Sequence, residues 1–301
     1  MRRGDWNEAW RQTDRIEAPR RIAQRRGGFV RQAQHLLWDG SAFAGRSVLI
    51  RCEHGLGDTL QFIRFVPSIA RVARDVNLLV QPQLLALLRG ASGLGTVRDA
   101  WTGEPAPAHD VEIEIMELAY ALRTDIGKLP PPYPHLRERA AGRLDLGLPR
   151  DGHLRVGLLW AASHWDDSRT IALPALEPLL RVKGARFFSL QQGAAAHDPL
   201  LERLPIISLS SRTREIVAAA AAMLELDLVI TIDGMPAHLA ATLGRPTWTL
   251  LKHEADWRWM QERGDTPWYR AMRLLRQPRP GDWGAVVRAA ATALSKLDLP
   301  A

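Results

Sequence analysis

The chain is poor in cysteine and tyrosine: Cys52 stands alone, and there are only three tyrosines in 301 residues. A lone cysteine excludes an internal disulfide and fits a reducing compartment. No apolar run approaches the roughly 18 to 20 residues that span a bilayer. The opening MRRGDWNEAWRQ has arginines but no apolar stretch behind them, so it does not read as a secretory signal. Cytoplasmic residence, at most peripheral at an inner membrane, is the expectation. Metal-ligand spacing is missing too. Asp166 and Asp167 are adjacent rather than spaced as a pair, and Glu112, Glu114 and Glu117 alternate with no histidine beside them in sequence. No metal site and no cofactor are expected.

With 46% hydrophobic and 24% charged residues, the chain can bury a full core in one large or two medium domains. The net charge is +7, and up to Arg46 ten arginines stand against five acids. This surplus either draws an anionic partner, such as a membrane surface or an acidic acceptor, or is a solvated helical face. Arg20, Arg21, Arg25 and Arg26 are its centre. Nucleic acid is not expected, because the basic residues form no motif with interleaved aromatics.

Ile232 to Pro246, IDGMPAHLAATLGRP, carries the most chemical information. The preceding Leu226 to Ile232 is apolar and β-branched, as in a strand covered on both faces. Ala237, Leu239, Ala240, Ala241 and Leu243 then form a small-residue helix. Asp233 and His238 bracket a turn at the carboxyl end of that strand, where helix N–H groups attract an anion such as phosphate. A second strand-turn-helix lies upstream. Ser47 to Arg51 is the strand, Glu53-His54-Gly55-Leu56-Gly57-Asp58 the turn, and Thr59 to Phe65 a helix with Leu60, Phe62 and Ile63 facing a core.

The resulting class is α/β, with a helical segment over 1–45, a Rossmann-like domain over 46–150 and a second over 151–301. Leu129 to Pro134 is too rich in proline for a helix or central strand, and 148–152 reads as the linker. Leu154 to Trp160, Phe187 to Gln191 and Thr247 to Leu251 are strands of the second half, and Ile216 to Leu224 is a helix. Asp282 caps a last helix that runs to about Lys296.

EHGLGDTLQFIRF (53–65), VGLLWAA (156–162), SLQ (189–191), LDLVITID with AHLAATLGRP, and DWRWMQERGDTPWY (256–269) together resemble the heptosyltransferase-type glycosyltransferases. The likeness extends over roughly Trp38 to Ala293 and is to the branch often fused to tetratricopeptide repeats. Gly4 to Trp10 looks like the tail of such an array. The resemblance implies a GT-B architecture of two Rossmann-like domains facing a cleft. The second would hold a nucleoside-diphosphate sugar and the first a glycan, lipid-linked or protein acceptor. Inverting, metal-independent transfer is implied.

By that resemblance Asp58 matches the base. His54, Gly55, Gly57 and Arg64 belong to its loop or to the acceptor side. Bottom-up, Asp58 serves equally as a helix cap. Asp233, Gly234, Met235 and His238 match the donor loop, and Arg169 matches an arginine that neutralises the leaving diphosphate. Lys252, after a strand end, is a further phosphate candidate. Packing alone is the alternative reading of His238, and a salt bridge with Asp166 or Asp167 that of Arg169. Trp257, Trp259 and Trp268, with Arg258 and Tyr269, stack a base or sugar or else fill the core. The chain departs from the pattern at Gly234, where a hydroxyl residue is usual, and at Ala218-Ala219, where an acid and a threonine are common. These departures sustain the alternative of a donor-binding relative with weakened catalysis. A dinucleotide oxidoreductase is disfavoured, since Gly55-Leu56-Gly57 lacks the third glycine and Val76 to Val80 ends in Gln81-Pro82 with no acid for a ribose.

Overall fold

A computed structural model describes residues 1–25, 36–143, 145–162 and 166–297. The chain forms two compact units, Met1–His135 and Leu136–Ala301. Among the described residues no helix is long and apolar enough to cross a membrane.

The first unit is built on a four-stranded sheet of β1 (Ser47–Arg51), β2 (Asp75–Val80), β3 (Thr96–Asp99) and β4 (Val111–Glu114), in the order β3-β2-β1-β4. All pairs are parallel, with Val48 beside both Val76 and Val111. A parallel sheet is covered on both faces, and Val48, Leu49 and Ile50 are each fully buried as that requires. β1 lies between β2 and β4, so the chain leaves it towards one side and returns on the other. The loops that follow β1 and β4 lie side by side at the carboxyl edge of the sheet, with His54 Nε2 4.0 Å from Glu114 Oε2.

The helix Trp6–Arg25 is part of this unit rather than a separate segment. Trp6 and Trp10 are buried, and the Trp10 indole N–H donates to the Thr124 carbonyl at 2.8 Å. Asp14 receives the Tyr120 hydroxyl at 2.6 Å and the Arg123 guanidinium at 2.6 and 2.9 Å. Arg21 lies over the rings of Trp38 and Tyr120, at 4.8 and 5.6 Å, and Arg20 pairs with Glu17 at 2.8 Å. Two of the four arginines expected to attract a partner are thus engaged in packing and pairing. The Arg25 side chain and Arg26 lie outside the described residues.

The second unit carries β5 (Leu154–Leu159), β6 (Ala185–Ser189), β7 (Ile206–Ser208), β8 (Leu228–Ile232), β9 (Thr247–Leu251) and β10 (Met272–Arg276). They form one sheet in the order β10-β9-β8-β5-β6-β7, parallel throughout. Read from its first strand, this is the doubly wound order of dinucleotide-binding folds, with the switch point between β5 and β8. The core beneath includes Val156, Leu158, Trp160, Phe187, Ile230, Trp248 and Leu250, closed by Val286, Val287 and Ala290 of the helix Trp283–Leu294. That helix begins as expected, with the Ala285 N–H donating to Asp282 at 3.0 Å. Residues 136–153 go with this unit. Leu146 N–H donates to Glu225 at 2.8 Å, and Arg212 donates to the carbonyls of Asp145 and Leu146. The units therefore divide at the end of the proline run, between His135 and Leu136, ahead of the linker read at 148–152.

One glycine is demanded by geometry. Gly95 enters β3 with φ +71, and a Cβ there would press into the Val76 carbonyl oxygen of the adjacent strand. The left-handed backbone and the clash both oppose a side chain. Gly95→Ala is expected to destabilise the first unit by roughly 2 kcal/mol or more. Denaturant unfolding measures this, and a loss under about 0.5 kcal/mol would show that β2 and β3 yield at this point.

Candidate functional site

Three loops of the second unit converge where β5, β8 and β9 end. The loop after β5 returns through a 3-10 turn, Asp167–Arg169, whose Arg169 donates to the Asp233 carbonyl at 3.1 Å, just past β8. Arg169 Nε lies 3.5 Å from Asp166 Oδ2, and Lys252, directly after β9, donates to the same oxygen at 2.8 Å and to Ser168 Oγ at 3.0 Å. Asp166 is held down to about 2, first by the Lys252 hydrogen bond and then by that of Ser168. At neutral pH these three side chains, two cations and one anion, sum to one positive charge. All three are partly exposed, at 20 to 31% of their side-chain area, so the charge faces solvent rather than the core.

The helix Met235–Thr242 starts at this edge. Gly234 is its N-cap, in an extended conformation (φ 169, ψ −175) that any residue adopts, and Pro236 sits in the first turn, where its missing N–H costs nothing. Backbone N–H groups and the positive helix end add to the local field. Asp233 and Met235 flank the cap. Burial pushes the Asp233 carboxyl up, opposed by a hydrogen bond from the Trp259 side chain and by Arg169 and Arg258 nearby.

His238 is on the inner side of the helix. It is 4% exposed, its Nδ1 is 3.0 Å from the Tyr269 hydroxyl, and its ring stacks on Trp259 at 5.3 Å. The tryptophans divide likewise. Trp259 and Trp268 are 1% exposed and belong to the core, while Trp257 is half-buried with Arg258 over its ring at 5.3 Å. His238, Trp259 and Trp268 are packed inside the unit, and Arg169 and Lys252 are partly exposed cations of this edge.

In the first unit the helix after β1 is Leu56–Phe62, beginning before Thr59, where the sequence pattern placed it. Gly55 is its N-cap, Gly57 and Asp58 lie in the first turn, and Asp58 reaches back to accept the Gly55 N–H at 2.9 Å. The carboxylate is consequently oriented by the turn that it closes. His54 is anchored through its carbonyl, which accepts from Gln81 Nε2 at 2.7 Å, and Gln81 in turn accepts from the Thr59 hydroxyl at 3.0 Å. Arg64 is buried at 3% exposure, donating to the carbonyls of Gln61 and Pro130, and so ties the helix to the proline run.

Glu114 is the site residue that the sequence reading passed over. In the sequence Glu112, Glu114 and Glu117 stand only as metal ligands set aside, yet Glu114 is 4% exposed at the end of β4. Its Oε2 accepts the Met116 N–H at 2.7 Å and lies 4.0 Å from His54 Nε2, while Oε1 is buried without a hydrogen-bond partner of good geometry. Desolvation raises the carboxyl to about 8, and the charges of Glu117 and Asp58 add to the shift. At neutral pH it is mostly the neutral acid, beside the turn that holds Asp58. The available clue was position, because β4 pairs in parallel with the central β1 and its end faces the loop that follows β1.

No family model and no curated protein matches the chain. Solved structures do. The chain is similar to a glycosyl transferase family 9 protein from Veillonella parvula, at 12% identity over 85% of this chain and 97% of that one, with a TM-score of 0.58. It is also similar to the E. coli heptosyltransferase WaaC, solved with ADP-2-deoxy-2-fluoro heptose, at 14% identity over 82% and 98%, TM-score 0.56. E. coli ADP-heptose lps heptosyltransferase II follows at 12% identity over 83% and 98%, TM-score 0.54. The likeness is one of fold: two units with parallel sheets in the GT-B arrangement of elements.

Glu114 makes stability depend on pH with a definite sign. Its carboxyl titrates near 4.5 when unfolded and near 8 when folded, so between these values the native state holds a proton that the unfolded state has released. Stability falls as pH rises through this window, with a slope approaching roughly 1.4 kcal/mol per pH unit from this group. Glu114→Gln is expected to remove that component. Urea midpoints of both proteins from pH 4 to 9 test it, and parallel curves would place the titration elsewhere.

Proposed function

We propose that this chain is a glycosyltransferase that moves a sugar from a nucleoside-diphosphate sugar to a hydroxyl of a glycan, lipid-linked glycan or protein acceptor. Transfer proceeds with inversion and without a metal ion. The observation that carries the reading is the convergence of Arg169 and Lys252 on Asp166 at the β5/β8 switch point, next to the start of the helix Met235–Thr242. That edge is where doubly wound sheets bind nucleotides. The fold shared with the heptosyltransferase structures, one of them solved with an ADP sugar, supports the choice of ligand and makes ADP the first nucleotide to try.

Asp58 is the base in this reading. It takes the proton of the acceptor hydroxyl as that oxygen forms its bond to the anomeric carbon and the bond from that carbon to the diphosphate breaks. The Gly55 N–H hydrogen bond holds the carboxylate in one orientation. Neutral Glu114 spares it one full negative charge close by. The leaving diphosphate carries the departing electron pair, and Arg169 and Lys252 offset its charge where other enzymes use a cation.

A donor-binding relative with weakened transfer is the second reading, favoured by Gly234, which offers no hydroxyl at the helix start. The two are separated by Asp58→Asn, which retains an oxygen to accept the Gly55 N–H but is a far weaker base. Transfer is expected to drop by roughly 10² to 10⁴ while ADP affinity is kept. A parental protein that binds ADP and transfers nothing from any nucleotide sugar would establish the weakened relative instead.

The donor site has its own test. Arg169→Ala and Lys252→Ala are each expected to weaken ADP binding by roughly 1 to 3 kcal/mol, with chelators leaving it unchanged. Gly234→Ser acts in the opposite direction. A Cβ there meets nothing nearer than Pro236 Cδ at 3.7 Å, an ordinary contact, so a hydroxyl placed on it is free to donate to the phosphate. Its hydroxyl is expected to tighten ADP binding by roughly 0.5 to 1.5 kcal/mol. Calorimetric titration of the three variants checks the set, and ADP affinity indifferent to all of them would displace the diphosphate from this edge.

A further inference from the structure

The first unit holds a cavity that the reading above does not use. It measures about 230 Å³ and is lined by Arg51, Cys52, Glu53, Leu79, Ala100 and Trp101, at the carboxyl ends of β1, β2 and β3. Sites for drug-sized ligands usually run from roughly 300 to 1,000 Å³. A nucleotide sugar is too large for this space, and one ring is the size it accommodates.

Trp101 gives the cavity its character. At 65% exposure it is the most exposed of the large apolar side chains described, although burying an indole is favourable. Its backbone is anchored, since Ala100 N–H donates to the Val80 carbonyl at 2.8 Å and Trp101 N–H to Asp99 Oδ1 at 2.8 Å. The indole is therefore presented from a defined turn at the sheet edge. A guanidinium and a carboxylate share the lining with it: Arg51 pairs with Glu112 and lies 3.9 Å from Glu53, which is half exposed. Cys52 does not supply reactivity, because it is buried and desolvation pushes its thiol well above the usual range.

A flat aromatic face beside one donor group and one acceptor group matches a pyranose. The C–H face of such a ring is apolar and packs on an indole, while its hydroxyls donate to carboxylates and accept from guanidinium groups. A nucleotide would bring phosphates towards Glu53 and Glu112, which repel them. We infer that this pocket binds a pyranose ring of the acceptor, stacked on Trp101 with its hydroxyls on Arg51 and Glu53. The inference rests on the glycosyltransferase reading and narrows it: the acceptor is a carbohydrate, free or lipid-linked, rather than a protein side chain. Glu53, on the pocket's lining, is the first residue of the turn Glu53 to Asp58 that carries the proposed base.

The test uses the full chain, with methyl glycosides of glucose, galactose, mannose and heptose as probes and saturation-transfer NMR as the readout. At least one glycoside is expected to receive saturation on the C–H groups of a single ring face. Trp101→Ala is expected to weaken that binding by roughly tenfold, and Trp101→Phe to retain most of it. Trp101 is exposed, so circular dichroism and the melting temperature should not change. ADP affinity should also match the parent. In transfer assays with a carbohydrate acceptor, the alanine variant should raise KM for the acceptor and leave kcat near the parental value. The inference is overturned if no glycoside contacts the parental chain, if Trp101→Ala binds as well as the parent, or if it weakens ADP to the same degree. Glycoside binding that depends on Trp101, in a chain that does not bind ADP, would sink the donor reading and leave the sugar pocket standing.

Discussion

Arg169 reaches the Asp233 carbonyl because β5 and β8 are parallel neighbours in register, with Leu158 beside Ile230 and Leu159 beside Thr231. The two strands are far apart in sequence, and the chain winds outwards from β5 through β6 and β7 before returning to β8. Hydrogen bonds along that one pair of strands set the height at which both following loops begin. β9 adds Lys252 at the same level through its own pairing with β8. A slip of one residue would turn every side chain of β8 over and move the Asp233 carbonyl from Arg169. The buried sheet determines the geometry of the cation cluster, and the cluster contributes little to the stability of the sheet.

This dependence explains what could be read in the sequence. β1 and β9 were placed residue for residue, as Ser47–Arg51 and Thr247–Leu251, because a strand buried on both faces is an apolar run bounded by polar turns. β3, β7 and β10 went unseen. β3 is Thr-Val-Arg-Asp, β7 is three residues long, and β10 is flanked by arginines. Such edge strands carry too little apolar signal to separate from loop. Loops with glycine and an acid were legible at once, since only the right turn chemistry fits between a strand and a helix. Which loops meet was not. Asp166 and Lys252 are brought together by strand order, which no local pattern encodes.

Burial was the second quantity that the sequence withheld. His238 and Trp259 looked as suited to a ligand as to a core, and the choice depends on which face of the helix Met235–Thr242 meets β9 and the aromatic loop. The inner face carries His238 onto Tyr269 and Trp259. Removing a fully buried tryptophan costs roughly 3 to 5 kcal/mol, so the aromatic cluster contributes to the stability of the second unit. Glu114 is the converse case, an acid that the sequence offered only as a rejected metal ligand and that the fold buries. Its neutral form avoids the larger penalty of a desolvated charge.

The two units use the same strand-turn-helix device with opposite charge. Behind β1 the helix start is answered by its own Asp58, whose carboxylate already occupies the Gly55 N–H. Behind β8 the cap is Gly234, which has no side chain to occupy the helix start, and the cluster of Arg169, Lys252 and Asp166 beside it carries a net positive charge. A helix start closed by its own carboxylate is unsuited to an external anion, whereas one left open beside Arg169 and Lys252 is suited to it. The missing hydroxyl at Gly234 alters this balance only modestly. A neutral hydrogen bond contributes about 1 kcal/mol, while a charge-assisted contact from Arg169 or Lys252 contributes roughly twice that. Loss of the hydroxyl therefore weakens the anion site without changing its sign. What the glycine adds is an uncovered backbone at the point where the chain turns from sheet to helix.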